Sequence, residues 1–408
     1  MDTVLKDLSQ FPDYTNPDFV ADPYPYYAQL RHDAPVYWSD SHQAWYLTRH
    51  ADVEAVARNR SVSSSRVPAI MSQVPQEQRD EFEPFAHAVA SWMLFIDPPD
   101  HTRLRGLVNK AFTPRMIGGL REQIQRIIDD LLDRVTPKAA MDVISDFALP
   151  LPATVISTML GVQPEGQDQF KQWSDDIVMA FSGHADPVDR FRRGQQSLFE
   201  LADYFRPFVT RLRHDPQDDI MGALVMAEEA GDQLTEEELF ANCVLLLVAG
   251  HETTTNLIGN GLLALLRHPR QFALLREEPA LIRSAVEELL RYDSPAQNFS
   301  RLALEDIEVG GTTIRQGDRI FLCYGAANRD PEQFEHPDQL DIRRPVNHHV
   351  AFSNGIHYCL GAALARLEGQ LALQALVERM PKMTLTAEPV EWNSNLSLRG
   401  VKALHVTF

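Results

Sequence analysis

Cysteine is scarce: three in 408 residues, Cys243, Cys323 and Cys359. That odd, sparse set excludes a disulfide framework and points to a reducing compartment. No second Cys or His lies at zinc-ligand spacing from Cys359, and the other two stand alone in apolar runs, which disfavours a zinc site. Positive charge is short too. The 38 Lys and Arg against 57 Asp and Glu leave a formal charge of −19, so a general nucleic-acid-binding face is excluded, though a local basic patch is not. No run approaches the ~18 uninterrupted apolar residues of a membrane span. The N-terminus MDTVLKDLSQFPDYTNPDF lacks a basic stretch followed by an apolar one and does not read as a signal peptide. No linker, repeat or low-complexity tract marks a seam. These absences predict a cytoplasmic protein with residues 1–408 folded as one domain.

What is present is mostly helical pattern. DPYPYYAQLRHD and HADVEAVARN read as short helices flanking a β-hairpin in APVYWSDSHQAWYLT. Residues 61–97, with scattered Ser and Pro, read as a long irregular loop. Two helices are expected between Asp100 and Val135, broken near Thr113-Pro114, and further helices between 151 and 213. Thr235-Glu236-Glu237-Glu238 is a capping-box signature, and the helix it opens can run to Arg267 before His268-Pro269. Another helix ends near Arg291, residues 296–327 read as strands and turns, and residues 361–380 form the last helix before C-terminal strands. The expected class is mainly α with a minor β portion.

Two stretches break these patterns. In LLLVAGHETTTN, residues 245–256, a polar knot interrupts an apolar helix, where a carboxylate is costly and threonine a poor helix former. Ala249, Glu252 and Thr253 fall at i, i+3 and i+4 and share one face. In AFSNGIHYCLGAALAR, residues 351–366, Cys359 precedes a helix whose dipole favours the thiolate, and Gly355 and Gly361 bracket it. From composition alone, an ordinary buried cysteine is the plainer reading. A single thiolate with a glycine-lined approach also suits the axial position of a haem.

Phe352-x-x-Gly355-x-His357-x-Cys359-x-Gly361 resembles the haem-ligand signature of the cytochrome P450 family. Three more elements follow the family's order. Ala249-Gly250-His251-Glu252-Thr253-Thr254 resembles its oxygen-activation motif, Glu288-Leu289-Leu290-Arg291 its E-x-x-R, and Asp100-His101-Thr102-Arg103-Leu104-Arg105 the helix that meets the haem propionates. Ser353-Asn354 depart from it, standing where many relatives have Gly followed by a variable residue. The resemblance covers essentially the whole chain. It implies the soluble, bacterial-type P450 fold, with the long central helix over a haem b.

On this resemblance Cys359 is the iron ligand, and the resemblance implies the family's thiolate push of electron density toward O–O cleavage. Phe352, Gly355 and Gly361 surround the ligand, and His101, Arg105, Arg301 and His357 match propionate partners. Leu246, Ala249, Gly250 and Thr253 are expected against the haem, with room for local helix widening at the small residues. Glu252 and Thr253 are the expected catalytic acid–alcohol pair, relaying the protons that reductive O₂ cleavage needs. His251 is expected not to be a ligand, and Thr254 and Thr255 to be packed or bonded to the helix backbone. Glu288 and Arg291 are expected to be a buried pair joined by Arg344. Substrate contacts are expected from Trp92, Met93, Leu94, Val248, Ala249, Asn298, Phe299 and Leu396, with a lid around residues 181–191.

The expected reaction is hydroxylation or epoxidation of an apolar small molecule such as a macrolide, steroid, terpenoid or fatty acid, by a monomer. Electrons should come from a ferredoxin and its reductase as separate chains, docking at Arg103 and Lys110, read as solvent-facing, with Arg115 nearby. Peroxide-driven chemistry, nitric-oxide reduction or a haem gas sensor are the alternatives. The acid–alcohol pair speaks against a dedicated peroxygenase, because peroxide brings its own protons and electrons, and a sensor would not require it.

Overall fold

The computed structural model describes residues 11–408 apart from Tyr14, 162–166, 183–185, 216–219, 230–233, Ser394 and Leu396. The chain divides into two compact units: Met1–Ser63, Ile128–Ala148 and Thr253–Phe408 in the first, Ser64–Ile127 and Leu149–Glu252 in the second.

The first unit holds the described strands. A five-stranded sheet runs in the order Val36–Ser39, Ala44–Leu47, Arg319–Leu322, Phe299–Ala303, Val62–Ser63. The hairpin anticipated around residues 36–47 is antiparallel, pairing Val36 with Leu47 and Ser39 with Ala44, whereas Ala44–Leu47 meets Arg319–Leu322 in parallel. Leu47, Val53, Ile320, Leu322 and Tyr324 are buried together beneath it. The C-terminal strand His405–Thr407 pairs with Ala140–Asp142 and Thr384–Leu385. Two helices of this unit carry the loop that contains Cys359: Ile282–Tyr292 and Ala362–Arg379.

The second unit is helical. Residues 61–97 are not one irregular loop: after the short strand Val62–Ser63 they form the helices Val67–Met71 and Glu83–Ala90 and the 3₁₀ turns Gln76–Phe82 and Met93–Phe95. Proline sits at the first turns of these pieces, a favoured start position that is easily mistaken for a break. Three helices, not two, span 100–135, because Gly118-Gly119 adds a break to the one at Thr113, whose hydroxyl caps the second helix.

The central helix runs Glu236–Arg267, 32 residues, as its pattern requires. Its capping box is made: the Glu238 carboxylate accepts from Thr235 N at 2.8 Å and Thr235 Oγ1 accepts from Glu238 N at 3.1 Å. No described helix is long and apolar enough to cross a membrane.

Candidate haem-thiolate site

Between Leu239 and Leu265 the central helix is buried at every position except Ala249, Gly250, Glu252 and Thr253. The polar knot is therefore the one place where this core helix is uncovered. Thr254 and Thr255 are buried. Buried His251 turns to the helix Gln167–Ser182: its Nδ1 lies 3.2 Å from the Leu247 carbonyl oxygen and 3.3 Å from Ser174 Oγ. The anticipated widening of the helix is absent; it is α-helical throughout, and a π-turn lies elsewhere, at Ile144–Ala148.

Cys243 and Cys323 are buried, and burial pushes both thiols up, Cys243 to about 12. Neither is a thiolate near neutral pH. Cys359 is exposed, which overturns its reading as an ordinary buried cysteine. Its amide donates to the Phe352 carbonyl at 2.9 Å, and Tyr358 N donates to Gly355 O at 3.2 Å across the 3₁₀ turn Gly355–His357. Gly355 has φ +70°, and a Cβ there would sit 2.5 Å from the Ala57 carbonyl oxygen, so only glycine fits. The serine at 353 also has a positive φ, 62°, which is why glycine suits that position. Its hydroxyl is 2.8 Å from Tyr324 Oη.

The loop hangs on a buried ion pair. Arg291 grips Glu288 bidentately at 2.7 and 2.8 Å, both side chains fully buried, and Arg344 Nε joins at 3.0 Å. Arg291 also donates to the carbonyls of Asn328, Pro337 and Gln339, so its donors are spent on the segment leading to the cysteine. This is the three-membered cluster the sequence predicts. Arg301 lies buried on the strand Phe299–Ala303, Gly361 caps the last helix, and His357 is half-buried.

In the second unit, His101 is buried and Arg105 half-buried one turn on. Burial, and then the neighbouring Arg105 charge, hold the His101 imidazole below its ordinary pKa, with Asp97 opposing. Two such groups on one helical face suit an anion. Arg103 is not the solvent-facing residue anticipated: its guanidinium pairs with Glu238, the capping-box carboxylate. Lys110 and Arg115 are exposed. Among expected substrate contacts, Trp92, Met93, Val248 and Asn298 are buried. Trp92 stacks on Phe95 at 5.9 Å and leans on Phe181 at 5.5 Å. Leu94 and Phe299 are half-buried and Leu246 is buried, while Leu396 lies outside the described residues, as do residues 183–185 of the anticipated lid.

Residues 90–381 match the family model for cytochrome P450. The chain belongs to the cytochrome P450 family. It is 41% identical to cytochrome P450 CYP107DY1 of Priestia megaterium, covering 97% of this chain and 98% of that one. To the cytochrome P450 monooxygenase PikC of Streptomyces venezuelae it is 39% identical over 95% and 92%. The crystal structure of P450BioI with a hexadec-9Z-enoic acid-ligated acyl carrier protein matches at TM-score 0.88 and 38% identity, covering 96% and 99% of the two chains. The fold is thus that of a bacterial-type P450, and the chain is a haem-iron oxidoreductase of the monooxygenase kind. Its residues fit that cofactor: one accessible thiol ahead of a helix, in a turn that only glycine can close, and two inert cysteines elsewhere.

Sequence reasoning missed one cluster: Glu287, His349 and Arg366, joined behind Phe352. The doubled carboxylate in EELLR was its only signal.

Proposed function

We propose that this P450 hydroxylates or epoxidises an apolar organic molecule, using O₂ and two electrons from a separate ferredoxin and its reductase, with residues 1–408 acting as one domain. The balance is substrate C–H plus O₂, two electrons and two protons, giving alcohol and water. The observation that carries this reading is the four-residue opening in a central helix otherwise buried from Leu239 to Leu265, because it leaves one carboxyl and one hydroxyl, at consecutive positions, uncovered.

Cys359 would hold the iron of haem b through its thiolate, and His101, Arg105, Arg301 and His357 would hold the propionates. The haem supplies binding and reductive activation of O₂. Ala249 and Gly250 keep the helix surface low enough to admit O₂. Thr253 Oγ1 donates a proton to the oxygen being reduced and is recharged from the Glu252 carboxyl through water. The buried apolar residues on both sides of the opening would limit other water there, which favours delivery of protons by this route. The complex of a similar P450 with a hexadec-9Z-enoic acid-ligated acyl carrier protein supports an apolar substrate class. Exposed Lys110 and Arg115 remain as the proposed acidic-ferredoxin dock, while Arg103 is committed to Glu238.

Turnover under oxygen-18 gas should place one labelled atom in the product; unlabelled product would refute the reading. Thr253→Ala should cut product formed per NADPH consumed several-fold and release peroxide. Unchanged coupling would remove Thr253 from the proton route.

A further inference from the structure

Glu287 and Glu288 are consecutive on the helix Ile282–Tyr292, so their carboxylates diverge by about 100°. Glu288 enters the buried pair with Arg291. Glu287 turns to a different cluster. Arg366, on the helix after Cys359, holds it with Nε on Oε1 at 2.7 Å and Nη2 on Oε2 at 2.8 Å. His349 Nε2 lies 3.0 Å from Oε2. Because Ala351 N–H donates to His349 Nδ1 at 3.2 Å, the ring proton sits on Nε2 and is donated to Glu287. The cluster is therefore one anion, one cation and a neutral imidazole.

It packs against the Phe352 ring and reaches Tyr358. The Arg366 guanidinium carbon stands 4.4 Å from the Phe352 ring centroid, and the His349 ring lies 6.0 Å from the same ring. Arg366 Nη1 also donates to Tyr358 Oη at 3.0 Å, and the Tyr358 and Phe352 rings are 6.4 Å apart. Phe352 carries the carbonyl that accepts the Cys359 amide, and Tyr358 directly precedes the cysteine. Burial alone would raise the Glu287 pKa, but the bonds from His349 and Arg366 outweigh it and pull it to about 2. The carboxylate is thus ionised near neutral pH.

We propose that Glu287, Arg366 and His349 are positioning residues for the cysteine ligand: they clamp Phe352, whose carbonyl accepts the Cys359 amide, and Tyr358, which precedes the cysteine, and they balance the charge behind that turn. This rests on Cys359 being the haem ligand. An electron added to the haem is favoured by positive charge nearby and disfavoured by negative charge. Glu287→Gln leaves the Arg366 cation uncompensated and should raise the haem midpoint potential. Arg366→Met leaves the carboxylate and should lower it. Arg366→Lys keeps the charge but not the two-pronged grip or the flat contact with Phe352. Its potential should stay near that of the parent, while its reduced CO complex loses the thiolate band sooner on warming.

The experiment is a redox titration and a reduced-CO spectrum on each purified holoprotein. Shifts of opposite sign for Glu287→Gln and Arg366→Met are the expected result, since mere loosening of the loop would move both the same way. Shifts of one sign, or an unshifted Glu287→Gln, overturn the proposal; if Arg366→Met fails to retain haem, Glu287→Gln and Arg366→Lys decide it. A parent protein with no thiolate band would instead overturn Cys359 as ligand, so the two failures are distinguishable.

Discussion

The cysteine loop and the hairpin of helices Gln167–Ser182 and Pro187–His214 are held by different physics. Around the loop, contacts are directional and charge-assisted: Glu288 with Arg291 and Arg344, Glu287 with Arg366 and His349, and Asn354 donating to Glu54 Oε1 at 2.8 Å. In the hairpin, aromatic and steric contacts fill the seam beside a few polar ones, Asp176 with Arg193 and Ser197 and Trp173 with Glu200. Phe170 meets Tyr204 at 4.7 Å edge-on, Phe85 meets Phe191 and Phe181 at 5.7 and 5.8 Å, and Gly194 lets the two helices touch at Ala180. Hydrogen-bonded charges fix angle as well as distance, whereas dispersion contacts fix proximity and tolerate sliding. A ligand sulfur needs the first. A segment proposed to admit substrates of varied shape is served by the second.

The largest effect should come from breaking the directional side. Glu288→Ala leaves Arg291 as a buried cation with no carboxylate, which costs roughly 3–5 kcal/mol. Urea unfolding should show a midpoint lowered accordingly, or no folded protein at all. A variant within about 1 kcal/mol of the parent would mean that the carbonyls of Asn328, Pro337 and Gln339 suffice for Arg291.

What was legible in the sequence follows the same division. The central helix was readable end to end because its capping box and 3.6-residue pattern are local. The cysteine motif and the Glu288, Arg291 and Arg344 cluster were readable because the family repeats those residue types at fixed spacings. Glu287, His349 and Arg366 were not, since their contacts span 62 and 79 positions and no local pattern encodes which arginine a carboxylate meets. Arg103 misled for the same reason: the helix wheel turned it to solvent, and Glu238, 135 residues away, claimed it. Residues 61–97 misled because prolines that start helices look like prolines that stop them.

On the hairpin side, Gly194→Val tests steric fit. A Cβ there would sit 2.7 Å from Ala180 Cβ and 3.2 Å from the Asp176 carbonyl oxygen, so the helices must part. Overpacking of this kind costs about 1–3 kcal/mol. The unfolding free energy from urea titration should fall by that amount while the reduced-CO spectrum keeps its thiolate band. Loss of that band would show that the cysteine loop depends on hairpin packing, and the contrast would dissolve.

The smallest effect sharpens the contrast most. Arg192 grips Glu81 with two bonds at 2.7 and 3.0 Å, nearly the geometry that Arg291 makes with Glu288. The Arg192 bonds hold the Glu81 carboxyl below its usual pKa, against a slight upward push from burial. Yet Arg192 and Glu81 are 52% and 40% exposed, where the buried pair is 0% on both sides. Water solvates either exposed group when the other is removed, and salt screens what attraction remains. Arg192→Ala should therefore leave the thermal midpoint unchanged within scatter at physiological salt. A drop rivalling that of Glu288→Ala would mean that the hairpin too is held by directed charge, and that burial is not what separates the two regions.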